Sequence, residues 1–335
     1  MGLAAALVSR PLDAAEPSTP LHTAVQLVPV ETGVELEVID WGGKGPAVVM
    51  LAALGADAHE FDNFAPQLTD KYHVIGITRR GFGASSKPTT GYSNERLGKD
   101  VIAVLDALKI QRAVFVGHSI AGMELSWIGT HDPKRVYGLV YVEAAYAYAF
   151  YSDSSLDPQK LAIDSLELRK KLLQLLMGGG RPDQQRVTAE LIAEVTRFER
   201  ELRDHAEMIK DFPDPPMDPA NPPHPPAWLT GIFQGQEKYT RIEVPALAIF
   251  AAPHALGDLP SPEELVEGSA AAAKLEDADL QRTGSQATAF ERGVPGSRVV
   301  RIPHASHYIF GSNEKDVLRE VSSFLDQLSY DAIRR

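Results

Sequence analysis

The chain has 335 residues, enough for one large domain with an insertion or for two small ones, and long enough to bury a sizeable core. Hydrophobic residues make up 44% and charged residues 23%, an ordinary globular balance that excludes wholesale disorder, collagen-like repeats and a coiled-coil rod. The net charge of −12 opposes binding to phosphate backbones, so no nucleic-acid partner is expected, and the absence of cysteine removes disulfides, thiolate metal sites and a cysteine nucleophile.

No apolar run is long enough to span a bilayer, so no membrane insertion is expected. The apolar stretch 2–8 has no basic residues ahead of it and meets Arg10 and Pro11 rather than a small-residue cleavage site. Residues 1–23 are therefore read as an N-terminal arm, and a cytoplasmic location is favoured over export.

From Ala24 onward, short β-branched runs alternate with amphipathic segments, the pattern of a parallel sheet with crossover helices. Strands are predicted at 24–30 and 34–39, turning at Thr32-Gly33, then at 47–51, 72–78, 113–117, 136–142, 246–251 and 298–302. Helical periodicity fits 60–68, 94–108, 120–131, 262–290 and 315–328, with Ser261, Pro262 and Glu264 forming a start signal for the fourth. The residues between the sixth and seventh strands abandon this rhythm and read as an inserted cap at 145–240, between core segments 24–144 and 241–335. Within it, helices are expected at 158–177 and 187–210, separated by the breaker Gly178-Gly179-Gly180-Arg181-Pro182. Residues 213–226, with eight prolines, read as a stiff strap back to the core.

The chemistry concentrates in three places. Val114-Phe115-Val116-Gly117-His118-Ser119-Ile120-Ala121-Gly122 is an apolar strand entering a tight turn of small residues with a serine at its apex. Such a turn exposes a nucleophile at the sheet edge, although Ala121 stands where G-x-S-x-G has its second glycine. The alternative is that Ser119 only caps the next helix. The second place is Arg301-Ile302-Pro303-His304-Ala305-Ser306-His307-Tyr308, between the last strand and the last helix. An imidazole there could take the serine proton and return it to a leaving group. The His304–His307 spacing also invites a metal, but no carboxylate or third histidine stands at ligand spacing, so neither metal nor cofactor is expected. The third place is the carboxylate that would orient the imidazole: Glu143 at the end of the sixth strand, or Asp258 beyond the seventh.

In strand order, cap position and motif order, residues 30–328 resemble the α/β-hydrolase superfamily, and Arg79-Arg80-Gly81-Phe82-Gly83-Ala84-Ser85 matches the Gly-rich loop of its capped members. The resemblance implies an eight-stranded, mostly parallel sheet with helices on both faces and an inserted helical cap. It implies a nucleophile at Ser119, a histidine at His307 and an acid at Glu143, with Asp258 the alternative. The family's His-Gly pair after the third strand looks replaced by Ala52-Ala53, leaving the amide of Leu54, or of Gly55, to join that of Ile120 as oxyanion donors. His118 is read as supporting the turn. Tyr146, Tyr148 and Phe150, with Tyr151, stand at the start of the cap as candidate substrate contacts or as aromatic glue between cap and core. The expectation is a cofactor-free serine esterase or lactonase acting on a small apolar or aromatic molecule. The alternatives are an amidase or C–C hydrolase of the same fold, or a non-enzymatic ligand-binding relative, while a dinucleotide-binding protein is disfavoured because G-x-G-x-x-G is missing.

Overall fold

Eight short apolar runs form one sheet in the computed structural model of the chain, which describes residues 24–152, 171, 175, 180–209, 227–252, 270–303 and 305–328. The strands are β1 (Ala24–Glu31), β2 (Val34–Gly42), β3 (Ala47–Leu51), β4 (His73–Ile77), β5 (Ala113–His118), β6 (Val136–Val142), β7 (Ala246–Ala252) and β8 (Arg298–Pro303). They lie in the order β1-β2-β4-β3-β5-β6-β7-β8. β1 and β2 form an antiparallel hairpin with Gly33 at φ 77°, a conformation glycine adopts without steric cost. β2 is antiparallel to β4, and every pairing from β3 to β8 is parallel.

Burial on both faces explains why the central strands read as unbroken apolar runs. β5 alternates strictly, sending Ala113 and Phe115 into one core cluster and Val114 and Val116 into the other. The first cluster is closed by α1 (Asn94–Ala107), α2 (Gly122–His131) and α5 (Ala270–Gly293), through residues such as Val104, Leu125 and Phe290. The second is closed by α6 (Glu314–Gln327), through Val317, Val321, Phe324 and Leu325. Each such large aliphatic or aromatic side chain contributes about 1.5–3 kcal/mol by leaving water.

The predicted helix at 60–68 is instead two single 3-10 turns, Ala58–Phe61 and Ala65–Leu68. Asp57 caps the first, and Pro66 enters the first turn of the second, where it cannot donate to a preceding turn. In the insertion, α3 (Arg181–Ile209) starts at Arg181, so the breaker ends at Gly180 and Pro182 opens the helix rather than ending it. A further helix, α4 (Ala227–Gln234), was not expected from the sequence. The start signal at 261–264, the strap at 213–226, most of the helix expected at 158–177 and the arm at 1–23 lie outside the described residues. Among the described residues no helix is long and apolar enough to cross a membrane.

Because β3 to β8 run parallel, their carboxyl ends share one edge, with Leu51 beside Gly117, Gly117 beside Tyr141 and Val142 beside Ile249. The segments carrying Leu54, Ser119, Glu143 and His307 all leave the sheet along that edge.

Candidate active site

Ser119 follows β5 directly and holds φ at +53°, although it is not glycine. The turn closes there because its neighbours are small. A Cβ on Gly117 would come within 2.5 Å of Leu125, and one on Gly122 within 2.0 Å of the Ala144 carbonyl oxygen. Ala121, the departure from the usual glycine spacing, is tolerated as a fully buried methyl, while the neighbouring Gly122 makes the close backbone approach.

Glu143 follows β6 with φ at +50° and no exposed surface. Among the described residues, three non-glycine positions have positive φ, and two of them are Ser119 and Glu143. Such backbones cost about 1–3 kcal/mol each and persist only where the surroundings over-determine them. Here β7 supplies part of that restraint: the Glu143 N–H donates to the Ile249 carbonyl at 2.8 Å and the Ala251 N–H to Glu143 Oε1 at 2.5 Å. The Tyr146 hydroxyl donates to the same carboxylate, 3.2 Å from Oε1 and 3.1 Å from Oε2.

His307 joins the two. Its Nε2 lies 2.9 Å from Ser119 Oγ and its Nδ1 lies 3.2 Å from Glu143 Oε2. A serine, an imidazole and a carboxylate separated by 24 and 164 residues in sequence thus form one hydrogen-bonded chain. The alternative acid Asp258 and the competing histidine His304 lie outside the described residues.

Beside Ser119, the Ile120 N–H belongs to the first turn of a helix and has no acceptor within it. Across the gap, the loop after β3 is held at several points. Arg79 donates to the carbonyls of Ala52 at 3.0 Å and Ala53 at 3.3 Å, and Glu60 Oε2 accepts the Ala53 N–H at 3.0 Å. The Leu54 N–H has no acceptor among the described residues. Arg79 is itself fixed by a buried ion pair to Glu124, through Nε at 2.8 Å and Nη2 at 2.5 Å. Neither Glu60 nor Glu124 was singled out from the sequence.

An apolar wall adjoins both amides. Tyr92, Leu97, Ile120, Met123 and Ile232 form one buried cluster, with Leu54, Tyr148 and Trp228 packed against it. Ile232 and Trp228 come from α4, and Trp228 sets its ring edge against Phe82 of the Gly-rich loop, centroids 4.9 Å apart. Burial pushes the Tyr92 phenol above its usual pKa, in opposition to the Arg80 charge.

The three aromatic candidates separate. Tyr148 adjoins the wall, Tyr146 bonds the Glu143 carboxylate, and Phe150 is sealed in the core. Phe150 packs as aromatic glue, the second of its two readings. Its ring meets Phe290 edge-on at 5.4 Å and fills the space over Gly293, where a Cβ would come within 2.3 Å of it. Among the described residues, no group of three or more His, Cys, Asp or Glu side chains is placed to hold a metal ion.

Comparison with known proteins agrees with this architecture. The chain is 37% identical over 100 residues to 3-oxoadipate enol-lactonase 2 of Acinetobacter baylyi, covering 30% of this chain and 38% of that one. It is 34% identical over 127 residues to the non-heme chloroperoxidase of Streptomyces lividans, covering 37% and 46%. These matches span less than half of either relative. A hydrolase from Pseudomonas aeruginosa PA01 superposes with a TM-score of 0.56 at 21% identity, covering 90% of this chain and 98% of that one, a likeness of fold. The sequence pattern of the alpha/beta hydrolase fold matches residues 46–236, more than half of the chain, and the chain belongs to that family.

Proposed function

We propose that the chain is a serine hydrolase that cleaves a carboxylic ester or lactone of a small apolar or aromatic substrate through an acyl-enzyme. The observation that carries this reading is the chain of contacts from Ser119 Oγ to His307 Nε2 at 2.9 Å and from His307 Nδ1 to Glu143 at 3.2 Å. A free hydroxyl is a weak nucleophile, and an imidazole in hydrogen-bond reach removes its proton as attack proceeds. Ser119 Oγ adds to the substrate carbonyl while its proton passes to His307 Nε2. Glu143 holds the Nδ1–H and stabilises the imidazolium, and the Leu54 and Ile120 amides receive the oxyanion. His307 then protonates the departing alkoxide, the ester C–O bond breaks, and the acyl group stays on Ser119. In a lactone the new hydroxyl remains tethered to that acyl group. Water, deprotonated by His307, releases the acid and restores the serine.

Serine at position 119 disfavours haloalkane or epoxide opening, which needs a carboxylate to form the alkyl ester. The neutral, apolar wall around Leu54 and Ile120 favours an apolar acyl or ring portion. Residues 145–240 act in this reading as a lid, with α4 contributing Trp228 and Ile232 to the wall. An enol-lactonase among the relatives supports the lactone branch. The reading is tested with p-nitrophenyl esters, aryl esters and a lactone panel, together with fluorophosphonate labelling of Ser119. Turnover with labelling at that serine is expected, and a wild-type chain that does neither overturns it.

A further inference from the structure

Two side chains next to the proposed triad, His118 buried and Glu60 partly buried, take no part in the steps above. His118 precedes Ser119, is fully buried, and has both ring nitrogens engaged. Its Nε2 lies 2.8 Å from the carbonyl oxygen of His307. A carbonyl can only accept, so Nε2 carries a proton. Its Nδ1 contacts Glu60 Oε1, with one proton between the two atoms. The other oxygen, Oε2, accepts the Ala53 N–H at 3.0 Å. A continuous hydrogen-bonded path therefore runs from the Ala53 amide through Glu60 and His118 to the His307 backbone. It ties together the three loops that leave β3, β5 and β8.

Packing alone does not call for this arrangement. A carboxylate and an imidazole in the interior lose hydration, and apolar side chains of similar volume can fill such a space at no loss of stability. What the pair supplies is position. Glu60 holds the Ala53 N–H and Arg79 the carbonyls of Ala52 and Ala53, and because the Ala53 carbonyl and the Leu54 N–H share one planar peptide, the direction of that amide is set with them. By donating to the His307 carbonyl, His118 fixes the backbone from which the imidazole reaches Ser119. Its ring is hemmed in by Phe310, centroids 5.5 Å apart, and by the His307 ring, 5.0 Å away.

We propose that Glu60 and His118 are positioning residues that set the oxyanion loop and the His307 loop relative to Ser119. The kinetic consequence rests on the serine-hydrolase reading; the geometry rests on the hydrogen bonds alone. The test compares Glu60→Ala, Glu60→Asp and Glu60→Gln. Alanine removes the path, and aspartate keeps the charge but falls a methylene short. Glutamine can preserve every link: its oxygen accepts the Ala53 N–H, its amide donates to Nδ1, and Nε2 still donates to His307. With p-nitrophenyl butyrate, Glu60→Ala and Glu60→Asp are expected to lower kcat about 10²-fold with KM within about threefold, because misplacement by about 1 Å costs that much. Glu60→Gln is expected to recover to within about fivefold of wild type. A purely structural role would lower melting temperature and active fraction but leave kcat per fluorophosphonate-titrated serine unchanged.

Wild-type kcat in Glu60→Asp overturns the proposal, as does Glu60→Gln failing as badly as Glu60→Ala. Should Glu60→Ala not melt cooperatively, the aspartate and glutamine variants decide the matter by themselves. Should the wild-type chain neither turn over esters nor take the fluorophosphonate, the hydrolase reading fails separately. The positioning role is then decided by the imidazole 15N signals of His307. Those signals shift or broaden in Glu60→Asp and return in Glu60→Gln if the role is right, and stay unmoved if it is wrong.

Discussion

The carboxyl edge of the sheet meets α4 of the insertion at the apolar wall, and the sheet edge and the insertion's long helix α3 are held by different means. At the sheet edge the segments carrying Leu54, Ser119 and Glu143 leave strands paired on both sides, that of His307 leaves the outermost strand, β8, paired to β7, and even the positive φ values of Ser119 and Glu143 are pinned by neighbouring strands and turns. In α3, Val187 and Leu191 are buried while Ile192 and Val195 are 62% and 54% exposed. Its ion pairs include exposed i,i+4 couples such as Arg186–Glu190 and Arg203–Glu199, which contribute roughly 0.3–0.5 kcal/mol each. The contrast separates two tasks. Under the serine-hydrolase reading, chemistry that must hold to fractions of an ångström sits on the sheet, and the wall offered to the variable part of a substrate includes α4.

The contrast breaks most decisively at Ser119. Ser119→Ala removes the nucleophile without a cavity, so turnover of p-nitrophenyl butyrate should fall by about 10⁴-fold or more while the melting temperature stays within a few degrees. Residual activity near wild type in a homogeneous preparation would show that the sheet edge carries no serine chemistry. Glu143→Gln comes next, with kcat expected to drop by up to about 10⁴-fold and KM little changed, since the amide no longer fixes the tautomer or stabilises the imidazolium. Asp258→Asn should cost little; the reverse pattern would move the acid role beyond β7.

On the cap side the expected effects are smaller and depend on substrate. Trp228→Ala opens the wall opposite Phe82. It should lower kcat/KM about tenfold for hexanoate esters, mainly through KM, and leave acetate esters within about twofold, as roughly 1 kcal/mol of aromatic contact predicts. A uniform loss across chain lengths would mean that α4 supports the core rather than selecting the acyl group.

What the sequence reveals follows the same division. The strands and the elbow are legible because continuous apolar runs and small-residue turns are local signals. The positions of Ser119, Glu143 and His307 follow from topology, since parallel strands bring their exits to one edge. Glu60 is invisible because its partner His118 lies 58 residues away, and the single turn around it mimics the start of a helix. Phe150 is ambiguous in the sequence for a similar reason: the gap it fills is created by Gly293, on a helix far along the chain. α4 escapes notice because an eight-residue apolar segment after a proline-rich stretch has too few turns to establish a period.

Tyr146 tests the boundary between the two regions, because it belongs to the predicted cap but hydrogen-bonds the acid of the sheet edge. If it positions Glu143, Tyr146→Phe removes one of the carboxylate's donors and leaves the Ala251 N–H and the His307 Nδ1–H in place. The lost hydrogen bond is present before and during proton transfer, so only the part that strengthens as the imidazolium forms affects the rate. The expected outcome is a two- to fivefold fall in kcat, equal for acetate, butyrate and aryl esters, with KM unchanged. If the hydroxyl instead contacts substrate, KM rises for some esters and not others while kcat holds. A substrate panel on this one variant therefore assigns Tyr146 to the catalytic edge or to the cap.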